Sequence, residues 1–160
     1  MKARIDLMHV KPGVIQAMFG LERQVRQAGF DSKLLDLVRM RASQINRCAY
    51  CLDMHSKDAR AKGETEQRLY GLDAWRETPY YSERERAALE WTETLTLVAE
   101  TRVPDEVYER VREQFSEDEL AHLSLAVVAI NGWNRLNVAA RTVPGDYVPG
   151  SLAKVHAAVS

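Results

Sequence analysis

The chain has 160 residues, 46% of them hydrophobic, which suffices for one buried core and is too short for two independent domains. Its 22 basic and 23 acidic residues are spread along the sequence and sum to a formal charge of -1, so no electrostatic footprint points to nucleic acid or to an anionic membrane. The opening residues Met1 to His9 lack the apolar run of a secretion signal and no stretch approaches the ~18 apolar residues of a membrane span, so the expected location is the cytoplasm and the expected partners are small molecules or proteins.

Helical periodicity dominates, and no segment alternates or concentrates β-branched and aromatic residues as a strand would, which makes the fold class all-α. A first helix is expected to open near Pro12 and to stop at Gly29, with Val14, Ala17, Met18, Leu21 and Val25 on one face. From Ser32 the spacing of Leu34, Leu35, Val38, Ala42 and Ile45 predicts a second helix. A third runs through the cysteines to Lys62, ahead of Gly63, with Asn46 and Arg47 leading into it. Residues 64–70 read as weakly helical, and 71–81, with Pro79 and two tyrosines, as a loop. Ser82-Glu83-Arg84-Glu85 and Ser116-Glu117-Asp118-Glu119 are capping-box patterns that mark two long helices. Pro104 opens a short helix between them, and after Arg141 the pattern gives way to an extended tail over 142–160. Residues 1–160 thus read as a single domain of about six or seven helices, without internal repeats or low-complexity segments.

The chain's two cysteines, Cys48 and Cys51, close a loop too short to restrict the unfolded chain, so they suit redox or metal chemistry better than stapling. On a helix Cys48, Cys51 and His55 form one row. A thiol of ordinary pKa ~8.5 is mostly protonated at neutral pH, and an imidazole that accepts its proton raises its reactivity. His55 is placed to do this for Cys51, leaving Cys48 to attack the oxidised sulfur and close a disulfide. The helix N-terminus instead favours a thiolate at Cys48, so pairing and dipole point to different cysteines. Zinc normally takes four protein ligands, and His9, His122 and His156 stand singly, so no metal is expected.

The other polar and aromatic residues have structural readings. Trp75, Trp91 and Trp133 suit the core or a subunit contact. Glu90 and Glu93 suit salt bridges, although their helix could bring one of them to the site. Asn131, Asn134 and Asn137 suit a hydrogen-bonded packing seam, and Arg39 and Arg41 suit fixing neighbouring carboxylates.

The segment Leu35-Asp36-Leu37-Val38-Arg39-Met40-Arg41-Ala42-Ser43-Gln44-Ile45-Asn46-Arg47-Cys48-Ala49-Tyr50-Cys51-Leu52-Asp53-Met54-His55-Ser56-Lys57-Asp58-Ala59 resembles the core of the alkylhydroperoxidase D and carboxymuconolactone decarboxylase family. Ala88-Leu89-Glu90-Trp91-Thr92-Glu93-Thr94-Leu95-Thr96 resembles the family's following helix more loosely. The resemblance implies a compact helical domain with motif 35–59 at its centre. It implies that Cys51 attacks a peroxide, that Cys48 resolves the product and that His55 accepts the proton. Asp36 stands where the family carries a glutamate, 12 residues before Cys48, and is one methylene shorter as the acid of a proton relay. Tyr50 stands where hydroperoxidase members can carry a histidine; its hydroxyl can donate but is no base at neutral pH. Also implied are a peroxide substrate, a dithiol or lipoyl-type protein reductant, no organic cofactor, and a homotrimer or homohexamer. The expected activity is thiol-dependent alkyl hydroperoxide reduction, with protein or lipoyl disulfide reduction as a near alternative. A lactone decarboxylase type of lyase is disfavoured by the paired cysteines, and a non-enzymatic redox or zinc interaction protein is the remaining class.

Overall fold

The computed structural model describes residues 2–10 and 13–151. Pro12, where the first helix was expected to open, and the distal tail, 152–160, lie outside the described residues. Among the described residues the chain is all-α, with eight α-helices, one 3-10 helix and no strand. No helix among them is long and apolar enough to cross a membrane.

The first helix, α1 (Gly13–Gln27), buries Ile15, Phe19 and Val25. Its inward stripe is therefore rotated from the expected one, and Val14 is exposed, because Ile15 and Phe19 turn toward a cavity. Gly29 follows in the left-handed region, at φ 76°, as a helix stop requires. Asp31 then caps α2 (Ser32–Ile45) by accepting the Lys33 backbone N–H at 3.0 Å.

Helix α2 is central because it supplies all three clusters of the core. Leu34 and Val38 pack with Ala88, Trp91, Phe115 and Leu123. Leu37 and Met40 join Leu69, Leu72, Trp75 and Leu89, while Leu35 meets Val25, Ala126 and Ala129. A helix surrounded in this way carries Asp36 inside with it, at 3% exposure.

Helix α3 (Ala49–Ala61) leads through a Thr65 cap into α4 (Glu66–Gly71). The segment read as a loop winds instead into a 3-10 helix, Leu72–Glu77, because Leu72 and Trp75 are drawn into the core. Both expected capping boxes form, at the starts of α5 (Glu83–Thr96) and the final helix, α8 (Glu117–Ala140). Between them lie α6 (Val98–Thr101) and α7 (Asp105–Arg112), the latter opened by Pro104. Pieces of six residues or fewer, α4, α6 and the 3-10 helix, take the helix count beyond six or seven.

Glu90 and Glu93 are both ion-paired away from the cavity. Arg110 binds Glu90 at 2.7 Å, while Glu93 accepts from Arg41 at 2.7 Å, from the Trp75 indole at 2.8 Å and from Arg76.

Candidate active site

The site begins where α2 hands over to α3. Asn46 closes α2, Arg47 takes a left-handed φ of 54°, and Cys48 follows in extended conformation as the residue capping α3. Cys48 thus lies just before the helix rather than on the row the spacing suggested. Its Sγ accepts the Cys51 backbone N–H at 3.4 Å, and its own N–H bonds the Ser43 carbonyl at 3.0 Å. The two cysteines are joined as a disulfide with Cα atoms 5.3 Å apart, and each is 1% exposed.

The asparagine seam fastens this turn to α8. The Asn46 amide donates to Asn131 at 3.0 Å and to Asn134 at 2.9 Å, and Asn134 donates to the Ser43 hydroxyl at 3.0 Å. Asn137 instead bonds its own helix through the Trp133 carbonyl at 2.9 Å.

A cavity of about 920 Å³ opens beside α3, walled by apolar side chains that include Ile15, Phe19, Leu35, Met54 and Trp133. Cys51, His55, Asp36 and Tyr50 line it, and Cys48 does not. Trp133 therefore faces the cavity, stacked at a tilt on Phe19 with ring centroids 5.7 Å apart, while Trp75 and Trp91 are core residues.

His55, one turn beyond Cys51, is buried, and its ring makes no hydrogen bond among the described residues. Burial, and then the charges of Arg39 and Lys62, hold its pKa well below 6.5. The imidazole is therefore neutral at neutral pH and has the capacity to take a proton.

Asp36 is engaged elsewhere. Both carboxylate oxygens accept from the Lys62 ammonium, at 2.9 and 2.7 Å, and Arg39 lies 3.7 Å away, its own bond going to Glu22 at 2.9 Å. Burial raises the Asp36 pKa, and the Lys62 and Arg39 charges offset this only in part. No hydrogen bond joins Asp36 to His55 among the described residues. Burial, followed by the Asp53 and Asp58 charges, raises the Tyr50 pKa, so the phenol keeps its proton.

Sequence reasoning missed Glu22, Lys62 and the segment after α8. Lys62 was legible in principle, seven residues after His55 and eleven after Cys51, on the same helical face. The described residues after α8, 142–151, are mostly without helix and are pinned across α3. Tyr147 donates to Asp58 at 2.9 Å, the Gly150 N–H bonds Asp58 at 3.2 Å, and the Gly145 N–H bonds Asp53 at 3.1 Å. Leu7 and Met8 from the N-terminal segment, with Val143 and Tyr147, also line the cavity.

Three known proteins frame this geometry. The uncharacterized protein YdfG of Bacillus subtilis is 43% identical over 139 residues, 87% of this chain and 95% of that one. A crystal structure from Agrobacterium tumefaciens, of a protein of unknown function suggested to be the antioxidant defence protein AhpD, is 39% identical with a TM-score of 0.87, covering 91% of this chain and all of that one. The debrominase Bmp8 in complex with 2,3,4-tribromopyrrole shares the fold at 17% identity, with a TM-score of 0.77 over 96% of this chain and 80% of that one. The model of the carboxymuconolactone decarboxylase family matches residues 12–94, which hold the whole of α2 and α3 with both cysteines and His55. The chain belongs to the carboxymuconolactone decarboxylase family.

Proposed function

We propose that the protein is a cytoplasmic thiol peroxidase of the alkylhydroperoxidase D type, cycling between the Cys48–Cys51 disulfide and its dithiol. The observation that supports this reading is that the cavity reaches Cys51 and stops short of Cys48, with the neutral imidazole of His55 on the same wall. A substrate in the cavity meets one sulfur; the other waits behind it to resolve the product.

In the reduced protein His55 takes the proton of the Cys51 thiol. The thiolate then attacks the outer oxygen of a hydroperoxide and breaks the O–O bond, giving a Cys51 sulfenic acid and an alkoxide. The alkoxide leaves as an alcohol with the proton that His55 received. Cys48 then displaces the sulfenic oxygen as water and restores the disulfide, which an external dithiol or lipoyl-type protein reduces by thiol exchange. One peroxide and one dithiol yield one alcohol, one water and one disulfide. Asp36 is the site's acidic residue, a carboxylate on the same cavity wall paired with Lys62, and the Tyr50 hydroxyl is a donor toward bound peroxide. Exposed Val128 and Val138 on α8 contribute apolar surface for the homotrimer or homohexamer we assign to the native protein.

The decisive experiment is organic hydroperoxide consumption with small dithiols and a lipoyl-carrying protein as donors, beside Cys48→Ser and Cys51→Ser proteins. Turnover that requires both cysteines is expected. Turnover of disulfides with none of peroxides would replace peroxidase by disulfide reductase, and loss of a lactone substrate's carboxyl group without thiol dependence would defeat both.

A further inference from the structure

The ion pairs along the cavity wall give Asp36 a definite partner. Glu22 on α1 takes the Arg39 guanidinium at 2.9 Å, leaving Arg39 at 3.7 Å from Asp36. Asp58 on α3 is taken by the Tyr147 hydroxyl at 2.9 Å and the Gly150 N–H at 3.2 Å. Lys62 is the one cation among the described residues within hydrogen-bond distance of Asp36, and it meets both oxygens, at 2.9 and 2.7 Å. It reaches there from the end of the helix whose cavity face carries Cys51 and His55. Among the described residues, Asp6 of the N-terminal segment, Arg26 of α1 and the Tyr50 phenol complete the titratable groups on this wall, and Asp6 bonds His9 at 2.7 Å.

We propose that Lys62 is a positioning residue, which holds Asp36 as a paired anion on the wall that His55 faces and so adds to the burial that keeps His55 an uncharged base. A carboxylate free of the ammonium would favour the protonated form of the imidazole. The ammonium occupies both carboxylate oxygens and also adds a positive charge to the wall His55 faces, so each effect opposes protonation. The shorter acid fits this arrangement, because Asp36 meets a lysine that comes to it rather than reaching toward the imidazole. The inference rests on the peroxidase reading only for the use to which the base is put.

The test is the titration of His55 followed by NMR of the imidazole ring in the oxidised protein, where neither cysteine carries a proton, for wild type, Lys62→Met, Lys62→Arg and Asp36→Asn. Lys62→Met should raise the His55 proton affinity roughly tenfold, about one pH unit, and Lys62→Arg should leave it near wild type. Asp36→Asn should shift it in the opposite direction, since two cations then face the ring without their anion. Opposite shifts from the two partners are not what loosened packing would give. An unchanged His55 midpoint in Lys62→Met, or a rise in Asp36→Asn, overturns the proposal. Because no peroxide enters the measurement, a Lys62→Met shift in a protein inactive on peroxides would defeat the peroxidase reading and leave the role of Lys62 standing.

Discussion

His55 stays neutral in the folded chain and titrates near 6.5 when unfolded, so it links folding to pH with a definite sign. Above 6.5 both states hold the ring neutral. As pH falls below 6.5 the unfolded chain takes up a proton that the folded one refuses, and stability is lost until the folded pKa is reached. The slope is up to about 1.4 kcal/mol per pH unit for one proton. Asp36 acts with the other sign, because its folded pKa is raised from 3.8 and stability falls as pH rises through that interval. Urea midpoints taken between pH 7 and pH 5 should therefore decline in wild type and decline less in His55→Gln; equal declines would show that His55 is not the group responsible. The cysteines differ in a second measurement, trapping of sulfenic acid after a peroxide pulse. Cys48→Ser should be labelled quickly at Cys51, whereas Cys51→Ser should label slowly, since Cys48 does not line the cavity that His55 shares with Cys51. Fast labelling at Cys48 alone would give the helix-terminal field the leading role. At this scale short spacing foretold that Cys51 and His55 share a helical face, and both line the cavity, whereas Cys48 lies just before the helix and off that face. The sequence was silent where a partner comes from another helix, as Glu22 does for Arg39.

Local rules were enough for the long helices and failed where tertiary packing decides. The boxes at Ser82 and Ser116 were legible because both hydrogen bonds of the motif close within four residues. Ser82→Ala and Ser116→Ala should each cost about 1 kcal/mol, read as a lower urea midpoint at unchanged slope. The 3-10 helix was not legible, since Pro79 and the paired tyrosines are turn-like and only the third dimension shows Leu72 and Trp75 entering the core. Leu72, with 0% exposure, supplies the contrast: Leu72→Ala should cost about 2–5 kcal/mol, where a residue in a surface loop would cost within about 0.5. A small effect would mean that the segment is a loop after all. The α1 stripe held for Leu21 and Val25, which join a core cluster, and missed Ile15 and Phe19, because the helix's face answers to the cavity as well as to the core.

For the molecule as a whole, the all-α class followed from periodicity, but the lining of the cavity by residues before α1 and after α8 did not. Pro144, Gly145, Pro149 and Gly150 signal an absence of helix and say nothing of where the chain lies, which is fixed by Asp53 and Asp58 about 90 positions earlier. Tyr147→Phe removes the hydroxyl bond to Asp58, and faster amide exchange over 145–151, with quicker alkylation of reduced Cys51, is expected. Unchanged exchange and alkylation would show that this bond does not hold the segment down. The two ends also differ from α2 in a way that bears on how new specificities arise. Every core cluster includes α2, so a substitution there that reshapes the cavity also disturbs folding. Leu7, Met8, Val143 and Tyr147 touch the same cavity from segments that bury no core residue. Drift or deliberate exchange of those two segments can therefore explore new substrates at little cost to stability, which makes them the evolvable part of the molecule.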